Sequence, residues 1–156
     1  MPFGTYSTPV NSTVDVIWKT FDEKARKPHR FIPYEVLDFK IHETYPDGLL
    51  REIRTKEMHM TERVTFDKAN GTVTFVLVDH PLYEGYLMNK VTPGTPESGG
   101  LPVIAYTMDV HARTPESENH PDAAWFKTAS QPEAVAKAVL HMKHILESET
   151  AHGAKA

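Results

Sequence analysis

The sequence predicts an α+β domain in which a curved antiparallel sheet of about six to seven strands wraps around one long C-terminal helix. From Val36 to Arg113 the apolar residues recur with a period of two between stretches of turn chemistry, the pattern of successive half-buried strands. After Ser130 the period changes to three and four, the pattern of an amphipathic helix. The chain has 156 residues, 40% of them apolar and 24% charged, which suits one hydrophobic core in a single domain over 1–156. A lone curved sheet leaves its inner face bare, and the terminal helix is the element long enough to cover it.

The chain opens with a short strand from Phe3 to Thr8. Asn11-Ser12-Thr13 then supplies capping side chains before Val14, Ile17, Trp18 and Phe21 recur at helical spacing. Pro28 and Pro33 end this helix near Lys27 and impose a corner. In the next strand Leu37, Phe39 and Ile41 share one face, and Tyr45-Pro46-Asp47-Gly48 turns the chain back. Leu49 to Thr55 and Met58 to Asp67 read as the following strands. Asn70-Gly71 tolerates positive φ and predicts a tight hairpin that pairs Val64-Thr65-Phe66 with Val73-Thr74-Phe75.

Thr72 to Val78 is β-branched, His80-Pro81 breaks it, and Tyr83 to Val91 resumes as a strand. Pro93, Pro96 and Pro102 with Gly94, Gly99 and Gly100 make a long loop. Ile104, Tyr106, Met108 and Val110 fall on one face of the last strand. Trp125-Phe126 marks a helical turn against the body. Ser130 as N-cap, with Pro132 and Glu133 in the first turn, starts a helix expected from about Gln131 to about Ser148, with 151–156 as a frayed tail.

Composition removes several classes of function. The formal charge is -4 with no basic block, so the electrostatic footprint of nucleic-acid binding is missing. With no cysteine, disulfides, thiolate zinc sites and cysteine nucleophiles are ruled out. The N-terminus lacks the pattern of a signal peptide and no apolar run is long enough to span a bilayer, so a cytoplasmic protein without membrane partners is expected. Nine histidines raise the question of a metal: His141 and His144 are three apart on one helix, and His42 and His59 are a pair the fold could bring together, but no HExxH pattern occurs and His141 lies off the apolar stripe. No metal is expected. Nucleotide and serine-hydrolase motifs are missing too, so the expected cofactor set is none.

Three polar residues fall on predicted inward faces. Glu62 shares parity with Met58, Met60, Val64 and Phe66, and a carboxyl desolvated in such company is a candidate general acid or base. Arg51 aligns with Leu49 and Ile53, where its guanidinium either binds substrate oxygen or neutralises Glu62. If those two touch, neither is free, and both arrangements stand at this point. Asn89 aligns with Leu87 and Val91 and offers its amide to a carbonyl or to a neighbouring strand. Tyr34, Phe75, Tyr86, Met88, Tyr106, Met108 and Met142 are bulky side chains able to line a pocket, and they are the expected ligand-binding residues.

The order of elements over nearly the whole chain resembles the helix-grip fold of the START-like, birch-pollen-allergen-like superfamily, also called SRPBCC proteins. The segments Leu49-Leu50-Arg51-Glu52-Ile53, Thr61-Glu62-Arg63-Val64, Leu87-Met88-Asn89-Lys90-Val91 and Ala105-Tyr106-Thr107-Met108 resemble its AtaL-like branch. The resemblance implies a ligand cavity, and a place beside biosynthetic genes for some members. The resulting expectation is a cofactor-free biosynthetic enzyme for a mostly apolar polyketide- or terpenoid-like molecule. It would promote cyclisation, isomerisation or dehydration, with Glu62 moving the proton and Arg51 and Asn89 stabilising oxygen. The alternative is a carrier that binds the same class of molecule without turnover. The expected partner is that small molecule, with a homodimer left open.

Overall fold

A computed structural model describes residues 3–32, 35–129 and 131–155, so the predicted N-cap Ser130 and the predicted wall residue Tyr34 lie outside the described residues. Seven strands form one antiparallel sheet: β1 (Phe3–Pro9), β2 (Asp38–Tyr45), β3 (Gly48–Arg54), β4 (His59–Asp67), β5 (Thr72–Leu77), β6 (Tyr83–Thr92) and β7 (Val103–Ala112). Their order is β1-β7-β6-β5-β4-β3-β2, a meander whose first strand returns to pair with the last. Among the described residues four α-helices accompany it: α1 (Val14–Arg26), α2 (Pro115–Glu118), α3 (Ala124–Ala129) and α4 (Pro132–Lys155). Among the described residues no helix is long and apolar enough to cross a membrane.

The alternation read from sequence sets which face each strand buries. Leu49, Ile53, Val64, Val73, Phe75, Val91, Ile104, Tyr106, Met108 and Val110 are all buried on the inner face. Helix α4 packs on β1 and β7, while α1 lies across β6 and touches α4, so two helices share the covering role assigned to one. Val135, Val139, Met142 and Leu146 carry the buried stripe of α4. Ile41, Met60, Phe66, Leu77 and Leu87 lie against the core but keep partial exposure, which leaves a solvent-reached apolar wall on the inner face.

Several expectations need correction in detail. Helix α4 continues past Ser148 to Lys155, because no proline stops it and a single Gly153 costs only about 1 kcal/mol in a helix. The Asn70-Gly71 hairpin pairs Val64 with Phe75 and Phe66 with Val73 as expected, but through a longer turn. A 3-10 turn over Lys68–Asn70 is capped by the Asp67 side chain, and Gly71 alone takes positive φ, at 67°. At the β3–β4 junction Thr55 makes the turn: its hydroxyl accepts from the amides of Glu57 and Met58 at 3.1 and 3.2 Å.

Two glycine and aromatic positions shape the far end of the sheet. Gly85 sits in β6 at φ 126°, and a Cβ there would lie 2.0 Å from the Asp109 carbonyl oxygen, so β6 and β7 approach at a spacing only glycine allows. Phe126 of α3 stacks on Tyr83 at 4.5 Å and 16°, which docks the predicted Trp125-Phe126 turn onto the sheet.

Candidate active site

Helix α1 is started by Thr13, whose hydroxyl accepts from the Val16 amide at 3.2 Å, and it buries Ile17, Thr20, Phe21 and Ala25. Its last turn brings Lys24 over the middle of the sheet. There Asn89 pairs in register with Val73 on one side and Tyr106 on the other. The Lys24 ammonium donates to Asn89 Oδ1 at 2.7 Å. It stands 4.3 Å from the centre of the Tyr106 ring and 5.2 Å from that of Phe75, a cation–π platform of two walls.

Arg51 and Glu62 sit directly opposite each other on β3 and β4. Both are buried, at 4% and 5% exposure. Arg51 Nε and Nη2 donate to Glu62 Oε1 at 3.0 and 2.9 Å. Arg51 Nη1 donates at 3.0 Å to each of the Lys24 and Ala25 backbone carbonyls, so the guanidinium also caps the C-terminal end of α1. The remaining face of the group lies 4.8 Å from the Phe75 ring centre. Glu62 is inward, as expected, and its charge is matched by Arg51, whose donors are spent on Glu62 and on the end of α1; of the two arrangements left open by the sequence, this is the one in which the residues touch.

The third charged group of this cluster is Lys24. Enclosure of its amine lowers the pKa from the ordinary 10.5, the neighbouring Arg51 charge lowers it further, and Glu62 opposes both; the result is about 7. The residue as a whole remains half-buried, so solvent reaches part of it while the amine end is enclosed. Burial pushes the Tyr106 hydroxyl well above its ordinary 10, which keeps it neutral and confines it to hydrogen bonding. Asn89 is fully buried, and its Nδ2 has no hydrogen-bond partner. A buried amide donor without an acceptor is costly and marks a place where an acceptor belongs.

Phe75, Tyr106, Met108 and Met142 are all buried on the inner side. Tyr86 and Met88 are not among them. They pair with Asp109 and Thr107 on the outer face, because residues adjacent to the inward Leu87 and Asn89 must point the other way. Lys24 is the candidate site residue that sequence reading missed. The signal was present: it stands seven residues after Ile17 and three after Phe21, on the apolar stripe of α1 and not on its polar side.

His42 and His59 do come together, but each binds a different oxygen of Glu52, His42 at 2.8 Å. Among the described residues no group of three or more His, Cys, Asp or Glu is placed to hold a metal. A separate open groove of about 740 Å³ runs between α3 and α4, lined by Lys127, Gln131, Glu133, Lys137 and His141 among others. No residue of the sheet lines it, and it lies apart from the Lys24 cluster.

Residues 5–149 match the family described as AtaL, acetylaranotin biosynthesis cluster protein L. The chain belongs to the AtaL family. AtaL-type sequence and the helix-grip arrangement agree with an SRPBCC, START-like fold. Among solved structures, the AtaL-family chain is similar to the di-domain aromatase/cyclase BexL from the BE-7585A biosynthetic pathway, at 18% identity and a TM-score of 0.64; the match covers 92% of this chain and 46% of BexL, so the chain spans about half of that protein. It is similar to the Zhui aromatase/cyclase from Streptomyces sp. R1128 at 12% identity and a TM-score of 0.66, covering 93% of each chain. Truncated norcoclaurine synthase from Thalictrum flavum matches at 15% identity and a TM-score of 0.66, again over 93% of each. At these identities the likeness is one of fold. No curated protein matches the sequence.

Proposed function

We propose that this AtaL-family protein is a biosynthetic enzyme that binds a mostly apolar, polyketide- or terpenoid-like molecule against the inner face of the sheet and promotes its cyclisation, isomerisation or dehydration by proton transfer at Lys24. The observation that carries the reading is the amine itself: enclosed, held by Asn89, and poised at about 7. Such a group is both a base and, once protonated, an acid at neutral pH. Asn89 Nδ2 would donate to a substrate carbonyl and stabilise the oxygen of an enol or enolate as the adjacent carbon loses its proton. The half-buried wall of Ile41, Met60, Phe66, Leu77 and Leu87 would hold the apolar body of the substrate. The Arg51–Glu62 pair fixes the end of α1 and with it the position of the amine. The aromatase/cyclase and synthase activities named for the matching structures support this class of chemistry.

The test is deuterium exchange at the α-carbon of 1-phenylbutane-1,3-dione in D2O, followed by NMR with protein in catalytic amount. Acceleration over buffer that falls at least tenfold in Lys24→Met, with the diketone still bound, supports the proposal. Binding of the diketone without any acceleration supports the carrier instead, a reading favoured by the fact that the expected acid Glu62 is tied up. Native mass spectrometry of freshly purified protein then identifies the cargo.

A further inference from the structure

We propose that Lys24 captures aldehydes or ketones covalently, as an imine, which makes the substrate class a carbonyl compound with an apolar body. The inference rests on the preceding reading of where the ligand sits, and adds a bond that proton transfer alone does not require.

Two independent features of the site converge on a carbonyl group. The first is the amine, held by Asn89 Oδ1 at 2.7 Å above the Tyr106 ring. The second is the other arm of the same amide: Asn89 is fully buried, and its Nδ2 donor is unpartnered. Because Nζ is a donor, the amide oxygen must face it, which turns Nδ2 toward a neighbouring position. A carbonyl whose carbon meets Nζ would then turn its oxygen toward the side of the amide whose donor lacks an acceptor. The charged and titratable groups around the amine are Arg51 and Glu62 from the sheet, which are paired with each other, and the neutral Tyr106. Desolvation beside a second cation is the environment that makes a lysine nucleophilic at neutral pH.

The step balances without a further reagent. The Nζ lone pair attacks the carbonyl carbon as the C=O π bond opens onto oxygen. A proton leaves nitrogen and one arrives on oxygen, giving a carbinolamine. Loss of the hydroxyl with a second proton expels water and leaves the C=N bond; hydrolysis reverses each step. The imine carbon then draws electrons from the adjacent C–H, which serves the same enolisation chemistry more strongly than a hydrogen bond does.

The experiment is reductive trapping. Full-length protein is mixed with trans-cinnamaldehyde and sodium cyanoborohydride from pH 5.5 to 9.5, and adducts are mapped by peptide mass spectrometry. An amine at about 7 is roughly half neutral at pH 7, whereas an ordinary lysine is neutral at about one part in three thousand. Lys24 should therefore carry the adduct at least ten times faster than Lys19, Lys40 or Lys56 at pH 7, with a rate that levels off above that pH. Lys24→Arg should abolish it. Asn89→Asp, which sets a carboxylate beside the ammonium, should move the half-maximal pH upward, a change that a merely structural asparagine would not produce. Adducts spread over surface lysines overturn the inference. If the aldehyde raises the Tm of the wild type and no adduct forms at Lys24, covalent capture fails while the binding site stands. With neither a Tm shift nor an adduct, both the capture and the proposed function fall.

Discussion

Replacing Glu62 with Gln keeps the volume of the side chain and removes its charge, which isolates what the buried pair does. Arg51 and Glu62 are 4% and 5% exposed, so water cannot take over the role of the lost partner. Two charge-assisted hydrogen bonds of 3.0 and 2.9 Å converge on one oxygen, and each is worth about 1.5–3 kcal/mol. Stranding one charge of a buried pair costs about 3–5 kcal/mol, in line with that sum. For a chain of this length about 2–4 °C is lost per kcal/mol, so Glu62→Gln should lower the Tm by about 6–20 °C. The double variant Arg51→Met/Glu62→Leu should recover most of this loss, because it leaves no orphaned charge. Thermal unfolding followed by circular dichroism at pH 7.5 measures all three proteins. A Glu62→Gln Tm within about 2 °C of wild type would refute the argument, since the guanidinium would then have found solvent or another counter-charge.

Lys24 gives a pH signature of stability. Its folded pKa of about 7 lies below the ordinary 10.5, so between those values the unfolded chain binds more protons and stability rises with pH. The contribution is complete above about 10.5 and is lost as pH falls toward 7, with a slope approaching about 1.4 kcal/mol per unit; the difference between wild-type and Lys24→Met urea curves from pH 7 to 10 should show it, and parallel curves would contradict it. His80 acts in the opposite range. Its Nδ1 accepts from the amides of Leu82 and Tyr83 at 3.1 Å, and burial together with Arg113 and His59 lowers its pKa from 6.5. Stability it supplies is present above 6.5 and lost as pH falls below that, and His80→Asn, which keeps an acceptor without titrating, should flatten the acid limb of a Tm profile. Gly85→Ala should cost more than about 2 kcal/mol in chemical denaturation, because the new methyl meets a carbonyl oxygen at 2.0 Å on a backbone of positive φ. Tyr86→Ala and Met88→Ala should leave cinnamaldehyde binding unchanged in a Tm-shift assay, whereas Phe75→Ala should weaken it.

The strands were legible because one buried face writes itself as alternation: Ile104, Tyr106, Met108 and Val110 state the orientation of β7 without help from the rest of the chain. Asn89 was legible by the same rule, and applying it strictly would have turned Tyr86 and Met88 outward. The state of Glu62 was not legible. Its inward direction follows from parity, but whether it meets Arg51 depends on the register of β3 against β4, set by the Thr55 turn, whose hydroxyl bonds alternation does not reveal. Lys24 was hidden for a different reason. It lies in a stretch of charged residues ending at Arg30, and only the angular position of the helix distinguishes it from Lys19 or Arg26, which does not contact Asn89 but pairs with Asp22.

The guanidinium of Arg51 is bonded to the carbonyl of Lys24 itself, so the residue that presents the amine is also the one pinned by its own main chain. Each residue inserted into or deleted from α1 ahead of position 24 would turn that amine by about 100° around the helix axis and slide it about 1.5 Å along it. Point changes on the outer side of this helix are thus tolerable over evolutionary time, while changes in its length would unseat the amine from the Asn89 amide and the guanidinium clamp at once.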